Sequence, residues 1–157
     1  MNKDIAPFRW HAAVPQDHTA IKKLIVDILQ EYGLKQGAVD DCLNDIDLHY
    51  FQKGGFFGVL LNEKDQLIAT AGLCPIDDQS AEIRKMYLHS AFRGQGLGKY
   101  IIRDLIIKAR KLGFLRLELE TASVLKEAIA LYKSFGFVPF VSDHLSERCD
   151  QAFRLVL

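Results

Sequence analysis

The chain has 157 residues, 49% hydrophobic and 25% charged, the balance of one globular domain with a true core. Lys plus Arg equals Asp plus Glu at 20 each, so the formal net charge is zero and the basic excess of a nucleic-acid-binding domain is missing. Cys42, Cys74 and Cys149 lie far apart without metal-ligand or disulfide-framework spacing, and no apolar run is long enough to cross a membrane as a helix.

Lys3, Asp4, Arg9, His11 and Asp17 interrupt the N-terminal stretch and leave no secretory segment. The expectation is a cytoplasmic protein with no nucleic-acid and no membrane partner. Phe8 to Ala13 reads as a first strand, broken by Pro15. Asp17 or Thr19 is placed to cap a helix whose Ile21, Leu24, Ile25, Ile28, Leu29 and Tyr32 recur at helical spacing, with Gly33 at its end. A second helix is predicted from Val39 to about Asp47, with Cys42, Leu43 and Ile46 inward.

Phe56–Leu61 and Leu67–Leu73 read as a hairpin around the polar turn 62–66. A turn at 75–78 leads to a strand from Ala81 to Leu88. Gly96 to Leu112 is a strong helix with Leu97, Ile101, Leu105, Ala109 and Leu112 on one stripe, ended by Gly113. Leu115 to Thr121 alternates strictly and is a half-buried strand. Leu125 to Phe135 is a last helix, with Gly136 as its cap. Phe137–Val141 and Ala152–Leu157 are two closing strands. The order describes a mixed α/β domain rather than a strictly alternating one.

The most informative segment is Arg93-Gly94-Gln95-Gly96-Leu97-Gly98-Lys99, between a strand and the start of a helix. Its glycines allow positive φ and close approach of a ligand to bare amides at a helix N-terminus, an arrangement suited to phosphate. A P-loop would need Gly at Arg93 and Ser or Thr at Tyr100. The dinucleotide fingerprint would need Gly at Lys99. Neither motif fits.

Arg93-x-x-Gly96-x-Gly98 resembles the acetyl-CoA-binding motif of the GNAT superfamily of N-acetyltransferases. Glu82 to Leu88 is similar to the family's fourth strand, and Ala128 to Phe137 to its last helix and following turn. The resemblance implies one GNAT-like domain over residues 1–157, with a twisted, mostly antiparallel sheet of about seven strands flanked by about four helices. It implies that Arg93, Gly94, Gln95, Gly96, Leu97, Gly98 and Lys99 hold the pyrophosphate of acetyl-CoA. Met86, Tyr87 and Leu88 would line the pantetheine arm.

Two catalytic residues follow from the same resemblance. Glu82 matches a carboxylate base, and Tyr132, in its Leu-Tyr-x-x-x-Gly-Phe context, matches the acid that serves the leaving thiolate. The acceptor would be a primary amine, small or amino-acid-like, bound beside the first two helices and the last hairpin. Tyr32, Tyr50, Phe51, Asp143 and His144 are candidates by location. No metal is implied, and a homodimer is among the assemblies the family uses. Leu125 departs from the family's usual Asn, which would move a polar contact to Thr121 or Ser123. Two other readings stay open: transfer of a different acyl group, and a catalytically silent CoA-binding domain.

Overall fold

The alternating segments fold as seven strands in the computed structural model, which describes residues 5–157; Lys3 and Asp4 lie outside the described residues. They are β1 (Arg9–Ala12), β2 (Phe56–Leu61), β3 (Leu67–Pro75), β4 (Ser80–Leu88), β5 (Arg116–Thr121), β6 (Val138–Phe140) and β7 (Gln151–Val156). All belong to one sheet in the order β1-β2-β3-β4-β5-β7-β6. Every pairing is antiparallel except β4 with β5. The helices are α1 (His18–Glu31), α2 (Leu97–Lys111) and α3 (Lys126–Ser134).

Each face of the sheet carries its own core. On one face Ile21, Ile25 and Leu29 of α1 pack with Tyr50, Phe57 and Val59. On the other, Ile101, Ile102 and Leu105 of α2 pack with Ala69, Ile83, Leu117 and Phe153. Fully burying an aliphatic side chain of this size is favourable by about 1.5–3 kcal/mol. The helical spacing read from the sequence is therefore what anchors both helices. Gly72 lets the first core close: a Cβ there would stand 2.6 Å from the Tyr50 ring.

Three expectations need correction. Asp17 stands at the N-cap of α1 but makes no side-chain capping bond, and Thr19 lies inside the helix. The Asp17 carboxylate instead accepts the Val14 amide at 2.9 Å and closes the turn before the helix. The helix predicted over 39–47 is split into a 3-10 segment, Ala38–Asn44, and a π-helical turn, Asp47–Phe51. Asp45 separates them, because its carboxylate takes the Leu48 amide at 3.0 Å and competes with helical bonding. Leu43 and Ile46 are buried as expected. Leu112 ends α2 half exposed rather than on the buried stripe.

Candidate functional site

The site begins with an irregularity in β4. Thr70 pairs with Tyr87, but Gly72 pairs with Arg84, so Lys85 and Met86 stand opposite the single residue Ala71. This is a β-bulge. Lys85 takes a φ of 54°, and its carbonyl accepts the Thr70 hydroxyl at 2.7 Å. The extra residue reverses the alternation of the strand. Before the bulge Ala81 and Ile83 belong to the core under α2; after it Met86 and Leu88 do. Glu82, Arg84, Lys85 and Tyr87 consequently share the opposite face.

The bulge also bends β4 away from β5. The two strands pair only from Ser80 and Arg116 to Glu82 and Glu118, although β4 continues to Leu88 and β5 to Thr121. A wedge opens between them, and a cavity lies at each end.

One cavity, of about 330 Å³, lies between the end of β4, α3 and the glycine loop. Met86, Tyr87, Leu88, Arg93, Gly94, Gly96, Leu97, Gly98, Lys99 and Tyr132 line it; Gln95 does not. Gly94 and Gly96 have φ of 78° and 82°, and no atom lies within 4 Å of where a Gly96 Cβ would stand. The start of α2 thus presents amides that have no acceptor within the helix, beside a positive helix end. Arg93 lines the cavity with its guanidinium already engaged: it donates to Glu31 and to the Leu88 carbonyl, and it lies over the Tyr32 ring.

The second cavity, of about 760 Å³, lies on the α1 face of the wedge. Glu82, Arg84, Lys85, Glu118, Glu120, His144, Arg148 and Cys149 are among its walls. Both cavities share Met86, Tyr87, Leu125 and Tyr132, so they meet at the wedge. Leu125 makes this junction apolar. Ser123, one alternative polar contact, is engaged by Asp150 through its amide and hydroxyl; Thr121 lines the second cavity.

Tyr132 is 5% exposed, and among the described residues no protein group hydrogen-bonds its hydroxyl, so that hydroxyl opens on the cavities the residue lines. Burial, with smaller contributions from Tyr87 and Cys149, pushes its phenol well above the ordinary value, so it stays protonated. Glu82 accepts Arg84 at 3.1 Å. Glu118, opposite Glu82, is bound twice by Arg154, at 3.0 and 2.7 Å. Glu120 has its carboxyl raised by burial and by the nearby Glu82 charge.

The acceptor-side candidates separate. His144 lines the second cavity and Tyr32 the first. Tyr50 is fully buried and stacks on Phe57, so it meets no ligand. Phe51 packs on Phe56, and Asp143 lines neither cavity. Lys85, Arg148 and Glu120 were missed because only the bulge and the folded loop before β7 bring them together. The strict alternation of β5 is the signal that puts Glu118 and Glu120 on a shared face. Among the described residues no helix is long and apolar enough to cross a membrane.

A family model described as Acetyltransferase (GNAT) family matches residues 18–137. The chain is 36% identical over 129 residues to the uncharacterized N-acetyltransferase YjgM of Escherichia coli, covering 78% of this chain and 77% of that one. A GNAT-family acetyltransferase structure from Staphylococcus aureus superposes with a TM-score of 0.88 at 18% identity, covering 94% of this chain and 97% of that one. A phosphinothricin acetyltransferase from Sinorhizobium meliloti, solved with acetyl-CoA, gives a TM-score of 0.76 at 19% identity over 96% and 88% of the two chains.

Proposed function

Because the chain belongs to the GNAT acetyltransferase family, we propose that it transfers the acetyl group of acetyl-CoA to a small primary amine by direct attack. The observation that carries this reading is the meeting of the two cavities at Tyr87, Leu125 and Tyr132. One cavity ends on an anion-binding loop and the other on carboxylates, so two unlike substrates would meet at one phenol. The acetyl-CoA complex of the Sinorhizobium meliloti protein supports the choice of donor.

In this reading the amides from Gly94 to Lys99 receive the pyrophosphate, with the Lys99 and Arg93 charges nearby. Met86, Tyr87 and Leu88 border the pantetheine arm. The amine enters from the second cavity as an ammonium ion. Glu82 takes its proton, directly or through water, and the Glu120 carboxyl, raised by burial and the Glu82 charge, stands beside it. The neutral nitrogen attacks the thioester carbonyl carbon, the C–S bond breaks, sulfur leaves as a thiolate, and the acylated nitrogen loses its remaining extra proton to water to give the neutral amide. The protonated Tyr132 hydroxyl donates a hydrogen bond to that sulfur. Holding both substrates in one geometry supplies much of the acceleration.

The test is thiol release from acetyl-CoA across a panel of primary amines, with calorimetry of CoA in parallel. Thiol release with at least one amine supports the reading. CoA uptake without release for any amine would reduce the protein to a silent CoA-binding domain.

A further inference from the structure

Under the second cavity three charged side chains meet with unequal charge. Asp40, 6% exposed, accepts Lys85 Nζ and both terminal nitrogens of Arg148, at 2.9 and 3.0 Å, and the Gly37 amide at 3.0 Å. Arg148 further donates to the Lys35 carbonyl at 3.1 Å and the Tyr87 hydroxyl at 3.4 Å. Every oxygen of the carboxylate is doubly engaged, so its capacity is filled.

The cations are not balanced by it. Lys85, 3% exposed, has Asp40 as the sole hydrogen-bond acceptor of its ammonium among the described residues, leaving two of its three N–H groups without one. Two positive charges face one negative charge; Asp41, Glu82, Glu118 and Glu120 also line the cavity, but among the described residues none of them is bonded to Lys85 or Arg148. Burial holds the Tyr87 hydroxyl and the Cys149 thiol in their neutral forms. Lys85 and Arg148 line the cavity while Asp40 does not, so the surplus positive charge faces the space where a substrate would lie. A buried, underbonded cation is costly, and a ligand that neutralises it gains correspondingly.

We propose that Lys85 and Arg148 form an anion subsite, and that the amine acceptor carries a carboxylate. This rests on the acetyltransferase reading above. Glu82 and Glu120 supply the complementary acidic end of the same face, so a zwitterion fits the cavity with its ammonium on the glutamates and its carboxylate on the Lys85–Arg148 pair. The strained φ of Lys85 accords with a residue held in place for a purpose beyond strand pairing.

The experiment compares, with the unmodified protein, thiol release for the common α-amino acids and a series of straight-chain ω-amino acids, each against its own carboxamide. The amide keeps the amine and the volume but removes the negative charge. Its amine is also less basic and so more often in the reactive neutral form, which works against the expected result. The acids should exceed their amides in kcat/KM by about 10- to 100-fold, the range of one charge-assisted hydrogen bond. Lys85→Met, which leaves the Asp40–Arg148 pair balanced, should bring the best acid down to the level of its amide. Equal rates for acid and amide would overturn the subsite while leaving the acetyltransferase standing. Absence of thiol release with every amine, despite CoA uptake, would remove both.

Discussion

Glu31, the last residue of α1, grips Arg93 of the glycine loop through two hydrogen bonds, 2.5 and 3.3 Å long. Arg93 Nε reaches back to the Leu88 carbonyl at 2.9 Å, and the guanidinium lies 5.4 Å from the Tyr32 ring centroid. One side chain therefore joins α1, the end of β4 and the loop. Its role in this arrangement is to brace the loop, which under the proposed function leaves the phosphate to main-chain amides. Glu31→Ala should then weaken CoA binding several-fold by loosening the loop, as read by calorimetry. A gain in affinity would instead mean that Glu31 competes with phosphate for Arg93.

The loop itself is tested at Gly96. An aspartate there combines a positive φ, costing about 1–2 kcal/mol in a non-glycine residue, with a negative charge aimed into the cavity. Gly96→Asp should lower CoA affinity by at least about 100-fold, about 2.7 kcal/mol. Gly96→Ala carries most of the backbone strain without the charge and should lose less than about 10-fold. Similar losses in the two variants would assign the effect to strain rather than to an anion.

Tyr132→Phe removes a hydroxyl that no described protein group uses. It should cost little stability, while kcat falls by about 10-fold or more and CoA affinity stays within about twofold. Because burial keeps this phenol protonated, it should impose no loss of rate near pH 9, and the wild-type and Phe enzymes should share one alkaline profile. A downturn present only in the wild type would show Tyr132 ionising in the working range.

The carboxylates are separable by mutation. Glu82→Gln should lower kcat/KM at neutral pH by about 100-fold if it carries the proton. Glu120→Gln should cost less and move the acidic limb of the profile, since Glu120 shares its environment with Glu82. The reverse order of effects would transfer the base role to Glu120.

Local signals foretold most of the architecture. The stripe Ile21–Leu29, the strict alternation of Arg116–Thr121 and the glycines at 33, 113 and 136 fixed helices and strands to within a few residues, because each records burial or a positive φ. The loop was legible for the same reason: Gly94 and Gly96 mark backbone that other residues rarely adopt. The region 38–51 was misread because an aspartate side chain, not periodicity, decides where its helix breaks. Asp40, Lys85 and Arg148 were invisible as a group. They are separated by 45 and 108 positions along the chain from Asp40, and only the bulge turns Lys85 toward its partners.

That ion cluster also makes Asp40 a keystone for the loops around the second cavity. Burial alone would raise its carboxyl, but the bonds from Arg148 and Lys85 outweigh this and hold it well below the usual carboxylate range. Asp40→Ala leaves two buried cations without their anion and should cost about 3–5 kcal/mol in urea unfolding at neutral pH. The sign of the pH effect follows from the depressed value. The contribution is fully present above the unfolded-state pKa near 4 and is lost as pH falls toward the folded value. Between about pH 4 and pH 2 the wild type should thus lose stability more steeply than Asp40→Ala, which lacks the titrating carboxylate. Parallel curves over that interval would mean that Asp40 is protonated, or solvated, in the folded protein.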